Sequence, residues 1–304
     1  MNEVEPSPEK HDNTFLGHPR GLYVLFLTEM WERFSYYGMR GLLVVYLTQH
    51  FLFSDDKSSY LYGTYTALVY VMTVVGGVLA DRYLGARKAV TFGAILLTLG
   101  HLGMAFEGTG SRQLVNYGGT DYQIILDGRG GNARQQIVTA QGMSYITFSD
   151  SEMKIEAAEV VGLPARIERN QLTFRIETES FYLNALYLSL ALIIAGVGFL
   201  KANISTIVGA LYDFGDTRRD SGFTIFYMGI NLGAFLASIF CGYLGIVHGW
   251  RYGFGLAGIG MLLGLFIFIR YNSMLEGKSE PPSVEKLRQT VVWFLNVEWL
   301  CYLS

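Results

Sequence analysis

Long apolar runs separated by short polar loops dominate the pattern of this chain. An α-helix needs about 20 mostly apolar residues to cross about 30 Å of hydrocarbon. We expect such helices at residues 21–50, 59–80, 88–106, 182–212, 223–247 and 252–271. The pattern predicts an all-α polytopic membrane protein, whose six spans could form two three-helix repeats.

One polar block, residues 107–181, interrupts the apolar runs. Between glycine-rich turns it contains the runs YQIILDG, RQQIVTA, MSYITF, KIEAAEVV, PARIER and LTFRIET. Alternating short runs with turn punctuation are typical of β-strands. We therefore expect a small all-β insert between helices 3 and 4. No ligand chemistry is legible in it, so a decorative insert is the favoured interpretation and a partner-binding insert the alternative.

The distribution of Lys and Arg among the short loops predicts the orientation of the spans. The loops after spans two and four contain Arg82, Arg87, Lys88, Arg218 and Arg219, whereas the alternate loops contain only Lys57 and Arg251. We expect an inner (plasma) membrane protein with both termini cytoplasmic. Residues 1–20 would be a cytoplasmic tail, residues 107–181 periplasmic, and residues 272–304 a cytoplasmic linker with the start of a truncated helix.

Composition supports a membrane protein and argues against other classes. Charged residues make up 16% of the chain, against about 25% in an average soluble domain. The net charge of −3, without a basic patch, gives no indication of a nucleic-acid partner. Cys241 and Cys301 have no disulfide or metal spacing, so we predict no metal and no cofactor. No nucleophile–base arrangement and no phosphate loop is recognisable, so an enzyme is not expected.

The first span carries four ionisable residues in the stretch TEMWERFSYYGMRGLL. A helix turns about 100° per residue, which places on one side Glu29, Glu32, Arg33, Tyr36, Tyr37 and Arg40. Each charge at mid-membrane costs at least about 2.5–3.5 kcal/mol unless it faces a bundle interior or a wet cavity. A purely structural ion pair would explain one such pair, but the whole stripe favours a polar pathway.

Other spans contain isolated polar residues. Lys201, in GVGFLKANIST, needs a partner or a water-filled cavity. Tyr70 and Asn231 are interpreted either as helix–helix contacts or as substrate contacts. The loop GGVLADRYLGARK is either a solvated turn or a latch that opens and closes during transport; its candidate residues are Asp81, Arg82, Gly85, Arg87 and Lys88.

Four segments, in order, resemble a known family. GGVLADRYLGARK resembles the loop between helices 2 and 3 of the major facilitator superfamily. FLGHPRGLYVLFLTEMWERFSYYGMRGLL resembles the first helix of proton-coupled oligopeptide transporters, with the pattern E-x-x-E-R-F-x-Y-Y at residues 29–37. GFLKANIST and FTIFYMGINLGAF resemble that family's fourth and fifth helices, with Ala202 where the family usually has proline. The resemblance covers residues 15–106 and 182–271, but not the insert.

The resemblance implies a carrier that moves di- and tripeptides into the cell with protons, and a chain that is the six-helix amino-terminal half of a major-facilitator fold. By motif match, the proton-coupling residues would be Glu29, Glu32, Arg33 and Lys201. The peptide-binding residues would be Tyr36, Tyr37, Arg40, Tyr70 and Asn231. The expected partners are peptides, protons, the lipid bilayer and a missing six-helix carboxy-terminal half.

Two alternatives remain open at this point. Arg33, Arg40 and Lys201 would also suit another small anion, such as nitrate or a carboxylate. A non-transporting, truncated membrane protein with a partner-binding insert is the second, because alternating access requires two halves that rock around a site.

Overall fold

The computed structural model describes residues 14–128, 134–292 and 295–303. Residues 1–13 of the predicted tail and part of the DGRGGN turn lie outside the described residues. A short strand pair, β1 (Thr14–Phe15) and β2 (His18–Pro19), precedes the helix α1 (Arg20–Gln49). The helices α2 (Asp55–Leu79) and α3 (Ala86–Met104) follow.

Helix α2 begins four residues before the predicted span. The Ser54 hydroxyl accepts a hydrogen bond from the Lys57 backbone N–H at 3.3 Å, and Asp55 and Asp56 occupy the first turn. A capping serine and early acidic residues stabilise a helix start. Because these residues are polar, a search for apolar runs misses the first turn.

A seven-stranded antiparallel sheet lies between α3 and the next long helix. Its strands are β3 (Arg112–Tyr117), β4 (Thr120–Asp127), β5 (Arg134–Val138), β6 (Met143–Phe148), β7 (Glu152–Ile155), β8 (Arg166–Glu168) and β9 (Thr173–Glu177). The strand order is β8-β7-β6-β5-β4-β3-β9, so the first strand pairs with the last. The chain therefore leaves the helices through β3 and returns to them through β9, which is the neighbouring strand in the sheet.

The sheet differs from the predicted strand runs in two places. Strand β3 was not among them; it joins β4 through Gly118 and Gly119, both at positive φ (60° and 83°), as a two-residue hairpin turn requires. The run KIEAAEVV was wrong as a continuous strand: β7 ends at Ile155, and α4 (Ala158–Val161) is helical. Gly162, at φ 69°, ends this helix in the left-handed conformation.

Three more long helices complete the bundle: α5 (Ser180–Ala210), α6 (Arg219–Tyr243) and α7 (Trp250–Arg270). Beyond them lie α8 (Val284–Arg288), the pair β10 (Thr290–Val292) and β11 (Leu295–Asn296), and α9 (Val297–Leu303). In the described part of the chain, α2, α5, α6 and α7 are long and apolar enough to cross a membrane by length and composition. Helix α1 is not among these four; it contains the ionisable residues Glu29, Glu32, Arg33 and Arg40.

Two helix junctions have the same geometry. Helix α2 continues into a π-helical turn, Ala80–Leu84, and Gly85 at φ 74° starts α3. Helix α6 continues into a π-helical turn, Leu244–His248, and Gly249 at φ 130° starts α7. The second and third helices of each set of three are thus joined in the same way.

Helix packing relies on small residues. Helix α1 packs on α6 and α7, and α5 packs on α2 and α3. A Cβ added at Gly93 would lie 2.6 Å from the Gly196 carbonyl oxygen, so α3 and α5 approach at backbone distance. Such contacts are typical of helices that associate in lipid. Much of α2 and α6 stays uncovered; Val74 is 69% exposed and Phe235 is 62% exposed.

Candidate functional site

The charged residues of α1 form a buried cluster. The Arg33 Nε lies 2.9 Å from Glu29 Oε1 and also contacts Glu32. All three residues are at most 4% exposed. Spacings of three and four residues bring side chains onto one helix face, and Gly233 of α6 lets the neighbouring backbone approach Arg33 closely.

Part of the hydrogen-bonding capacity of this charged cluster is unused. Glu29 Oε2, Glu32 Oε1 and Arg33 Nη2 have no hydrogen-bond partner within the described ranges. Buried polar atoms are nearly always paired, and exceptions mark sites that carry out chemistry or hold water or an ion. These unpartnered atoms make the charged cluster the candidate functional site of the bundle.

Lys201 of α5 lies beside the cluster. Its ammonium interacts electrostatically with both Glu29 and Glu32. It forms no ion pair within 4.0 Å in the described part of the chain. Its Nζ instead lies 4.8 Å from the centroid of the Tyr70 ring. Lys201 is half-buried, so it remains able to meet an anionic ligand.

An aromatic layer continues from the charged cluster towards Arg40. The Tyr36 and Tyr37 rings are edge-on at 5.4 Å, and the Arg33 guanidinium carbon lies 5.4 Å from the Tyr36 ring centroid. Arg40 donates a hydrogen bond to the Tyr62 hydroxyl. These contacts hold the guanidinium of Arg40 on the α2 side of α1.

Sequence reasoning missed Tyr62 and Tyr65 of α2. Tyr65 is buried, at 2% exposure, and interacts electrostatically with Tyr36 and Glu32. The run YLYGTYTALVY places aromatic residues three and five apart. Matching that spacing to the aromatic side of α1 could have found them.

Two predicted peptide-site residues lie apart from the charged cluster. Tyr70 is 60% exposed; its ring centroid lies 4.8 Å from the Lys201 Nζ, and it interacts electrostatically with Tyr36. The exposed Asn231 donates from its amide to the Tyr227 carbonyl oxygen of its own helix at 3.3 Å. The structure therefore joins Tyr70 to the site through Lys201, but does not bring Asn231 into contact with the cluster.

The predicted latch loop pairs with a distant segment rather than within itself. Arg87 lies 2.8 Å from Glu280, and Lys88 lies 2.5 Å from Glu298. Asp81 and Arg82 form no ion pair in the part of the chain that is described. Two of the loop's cations thus pair with residues 280 and 298, and its role as a latch stays a prediction.

Outside the membrane-spanning segments, the loop before α6 holds a well-paired carboxylate. Arg218 donates to Asp216 through its backbone N–H at 2.9 Å and its guanidinium at 2.8 Å. These hydrogen bonds lower the pKa of Asp216 to about 2. No group of three or more metal-ligating side chains suited to an ion occurs in the described ranges.

Comparison with known proteins identifies similar chains. A family model described as the POT family matches residues 87–299. The uncharacterized transporter YclF of Bacillus subtilis (strain 168) is 35% identical over 280 residues, which cover 90% of this chain and 42% of YclF. A di-/tripeptide transporter of Lactococcus lactis subsp. lactis (strain IL1403) is 35% identical over 268 residues, which cover 85% of this chain and 39% of the relative.

Solved structures show the same likeness. A crystal structure of a peptide transporter POT in complex with sulfate matches with a TM-score of 0.62 at 34% identity, over 88% of this chain and 40% of that one. A POT family transporter in complex with 5-aminolevulinic acid matches with a TM-score of 0.60 at 31% identity, over 91% and 44% of the two chains. The chain spans about two fifths of the length of the curated relatives, between 37% and 42%.

Proposed function

The chain belongs to the POT family of membrane transporters, and from this premise we propose that it supplies the amino-terminal six-helix half of a symporter that takes di- and tripeptides into the cell with protons. The family match and the helical, major-facilitator-like fold support a transporter rather than an enzyme. The observation that carries the proposal is the buried cluster of Glu29, Glu32 and Arg33 beside Lys201.

The geometry of the charged cluster suggests how the two cargoes are coupled. Protonation of Glu32 or Glu29 removes a negative charge that holds Arg33, and so frees the guanidinium. A peptide carboxylate then competes for the cations, with Lys201 and Arg40 on the receiving side. Arginine provides a fixed fork for a carboxylate, whereas lysine acts as a point charge. Binding of a proton and binding of a peptide therefore influence each other reciprocally.

A second six-helix half would complete the site. The relatives are more than twice as long as the matched region, and the exposed faces of α2 and α6 carry Tyr70 and Asn231. In this arrangement both residues would face the central cavity between the two halves, which explains their exposure in this chain. Alternating access would then be a rocking of the halves around the cluster.

The proposed placement in the membrane follows the Lys and Arg distribution. Both termini and residues 272–304 would be cytoplasmic, and residues 107–181 would lie on the periplasmic side of the inner membrane. Long loops are translocated largely regardless of charge, so the ion pairs of the sheet do not oppose this placement. The variants Met143→Cys and Lys278→Cys, each labelled with a membrane-impermeant thiol reagent, test this placement. Only the cysteine at position 143 should react in intact spheroplasts.

Uptake of a labelled dipeptide into proteoliposomes under an imposed proton gradient tests the coupling. The chain is assembled with the carboxy-terminal half of the Lactococcus lactis relative, and the variants are Glu32→Gln and Lys201→Ala. Both should lose gradient-driven accumulation. The matched controls Glu152→Gln and Lys154→Ala, on the sheet, should retain it. Accumulation retained by both cluster variants would refute the proposed coupling residues.

A small anion is the second candidate cargo. It is favoured by one observation: the site contains three cationic residues, Arg33, Arg40 and Lys201, and the last has no carboxylate within ion-pair distance in the described part of the chain. Competition separates the two cargoes in the same proteoliposomes. Unlabelled dipeptide should inhibit uptake and nitrate should not; inhibition by nitrate alone would favour the anion carrier.

A further inference from the structure

A cavity outside the charged cluster lies between the sheet and the ends of the helices. It has a volume of about 690 Å³. The β3–β4 hairpin forms one wall, through Arg112, Gln113 and Gln123; the last turn of α1 and the start of α7 form the other, through Gln49 and Trp250. Its size falls within the range of about 300–1,000 Å³ typical of small-molecule sites.

Hydrogen bonds hold the two walls of this cavity in place. The Ser111 backbone N–H donates to the His50 carbonyl oxygen at 2.8 Å, just beyond α1. The Arg251 backbone N–H donates to Glu107 Oε2 at 2.9 Å, at the start of α7. On the other side, Thr109 donates to Glu179 at 2.6 Å. The first connection of the sheet is thus bound to the helix ends and the second connection is bound to the first, so both walls of the cavity are held in place before a ligand binds.

The lining offers unpaired amide groups. The side chains of Gln49, Gln113 and Gln123 form no hydrogen bond with described residues. A glutamine amide both donates and accepts, as a peptide bond does. Leu52 and Trp250 add apolar surface beside them. Amide groups interleaved with apolar surface match a short peptide better than an inorganic ion.

The charge of the lining also determines which ligands the cavity can bind. Arg112 is the charged residue among the cavity's described lining residues. It is exposed and forms no ion pair within the ranges that are described. An unpaired guanidinium binds a carboxylate through two parallel hydrogen bonds. No acidic side chain occurs among the described lining residues. Glu177, directly across from Arg112 on β9, is ion-paired with Arg175 at 3.1 Å. The cavity therefore favours a ligand that presents a carboxylate to Arg112.

Gln123 lies on the same face of the sheet as Arg112, whereas Gln113 lies on the opposite face with Ile124. We propose that this cavity is a second, outer peptide-binding site, in which the carboxylate of a short peptide binds Arg112 and its amides bind Gln49 and Gln123 before the peptide reaches the charged cluster. The inference rests on the proposed function for the choice of peptide as cargo and for the placement of the sheet outside the membrane. Its position, at the end of the bundle where α1 ends and α7 begins, is the side from which an imported peptide would arrive.

Trp250 provides a local reporter of binding. The chain is placed in lipid nanodiscs and titrated with trialanine while tryptophan fluorescence is recorded. Trialanine should change the fluorescence, and the change should disappear in Trp250→Phe. Arg112→Ala should raise the dissociation constant at least about tenfold, the size expected for the loss of a hydrogen-bonded charge pair. The carboxy-terminal amide of trialanine should bind the unmodified chain as weakly as trialanine binds Arg112→Ala.

Controls separate this site from the charged cluster and from misfolding. Arg166→Ala, an exposed arginine on β8, should bind trialanine as the parent does. Gln123→Leu should weaken binding without altering the circular dichroism spectrum. The double variant Glu32→Gln, Lys201→Ala should still show the Trp250 signal. Persistence of that signal supports an outer site even if proton-driven uptake fails.

Four results would overturn the inference. Three of them are equal affinity for trialanine and its amide, equal affinity in the Arg112 and Arg166 variants, and a fluorescence change that survives in Trp250→Phe. A change abolished by Glu32→Gln, Lys201→Ala would also overturn it, because the signal would then come from the charged cluster. In each of these cases proton-driven uptake, measured separately, could still be intact.

Discussion

Charged residues occupy two contrasting settings in this chain. In α1, Glu29, Glu32 and Arg33 are at most 4% exposed, and several of their polar atoms lack a partner in the described part of the chain. On the outer face of the sheet, Arg175 lies 2.8 Å from Asp121, but its side chain is 56% exposed. The first set is costly to desolvate and is balanced by its own ion pairs and by the nearby Lys201. The second set is solvated whether or not it pairs.

This difference shows which of the two sets of charged residues needs a functional explanation. A buried ion pair is weak evidence for stability, because desolvation offsets most of the Coulombic gain. Exposed ion pairs change the free energy of unfolding only slightly. The charged cluster of α1 is therefore hard to explain by folding alone, whereas the sheet's ion pairs need no functional explanation.

The largest effect should come from breaking the buried set. Arg33→Met leaves Glu29 and Glu32 buried without their ion-pair partner and should lower the free energy of unfolding by about 3–5 kcal/mol. The measurement is thermal unfolding in detergent. The triple variant Glu29→Gln, Glu32→Gln, Arg33→Met should recover most of the stability and yet lack gradient-driven uptake. If Arg33→Met is as stable as the parent, the buried ion pairs of α1 do not differ in energetic importance from the exposed pairs of the sheet.

The sheet should depend on its apolar face instead. Ile137 is fully buried and pairs across the sheet with Ile124. Ile137→Ala should cost about 2–5 kcal/mol, measured as faster hydrogen exchange of the strand amides with α1 unaffected. Val138→Ala, its neighbour on the opposite face, is the matched control. Equal exchange rates in the two variants would show that the sheet is not held by this core.

A smaller, pH-dependent effect is expected at the loop before α6. The ordinary pKa of Asp216 is 3.8, and its hydrogen bonds with Arg218 lower the pKa to about 2 in the folded loop. The charged form is thus preferred in the folded state, so its contribution is complete above pH 3.8 and is lost as the pH falls through 2. Hydrogen exchange at the start of α6 should increase over that window, and Asp216→Asn should show the faster rate already at pH 7. An Asn variant indistinguishable from the parent at pH 7 would contradict this.

The smallest effect should follow loss of an exposed pair. Arg175→Ala removes contacts with Asp121 and Glu177 and should change stability by only about 0–1 kcal/mol. Chemical denaturation followed by the near-ultraviolet signal of the sheet measures it. A loss as large as that of Ile137→Ala would mean that the sheet depends on its outer charges.

Much of the helical part of the fold was predictable, because an apolar run of membrane-spanning length has few alternative structures. The six expected spans correspond to α1, α2, α3, α5, α6 and α7. Strand β3 escaped prediction because RQLVNY is short and half polar. The helical α4 was taken for strand because four residues are too few to show a period.

The site was predictable as far as it depends on spacing along one helix. The grouping of Glu29, Glu32 and Arg33 follows from helical geometry alone. Contacts between distant segments do not, since Arg40 with Tyr62 and Lys88 with Glu298 join residues that no local pattern relates. The roles in proton coupling and peptide binding stay predictions until the variants are measured.

The matching π-helical junctions at Gly85 and Gly249 have a consequence for how the sheet entered the chain. Each marks the same step within a three-helix module, so one module ends with α3 and the next begins with α5. The sheet lies between α3 and α5, at the connection between the two modules. An additional segment at this position does not interrupt the helix packing within either module. The sheet's first and last strands along the chain, β3 and β9, pair with each other, so the segment leaves the helices and returns to them at neighbouring positions.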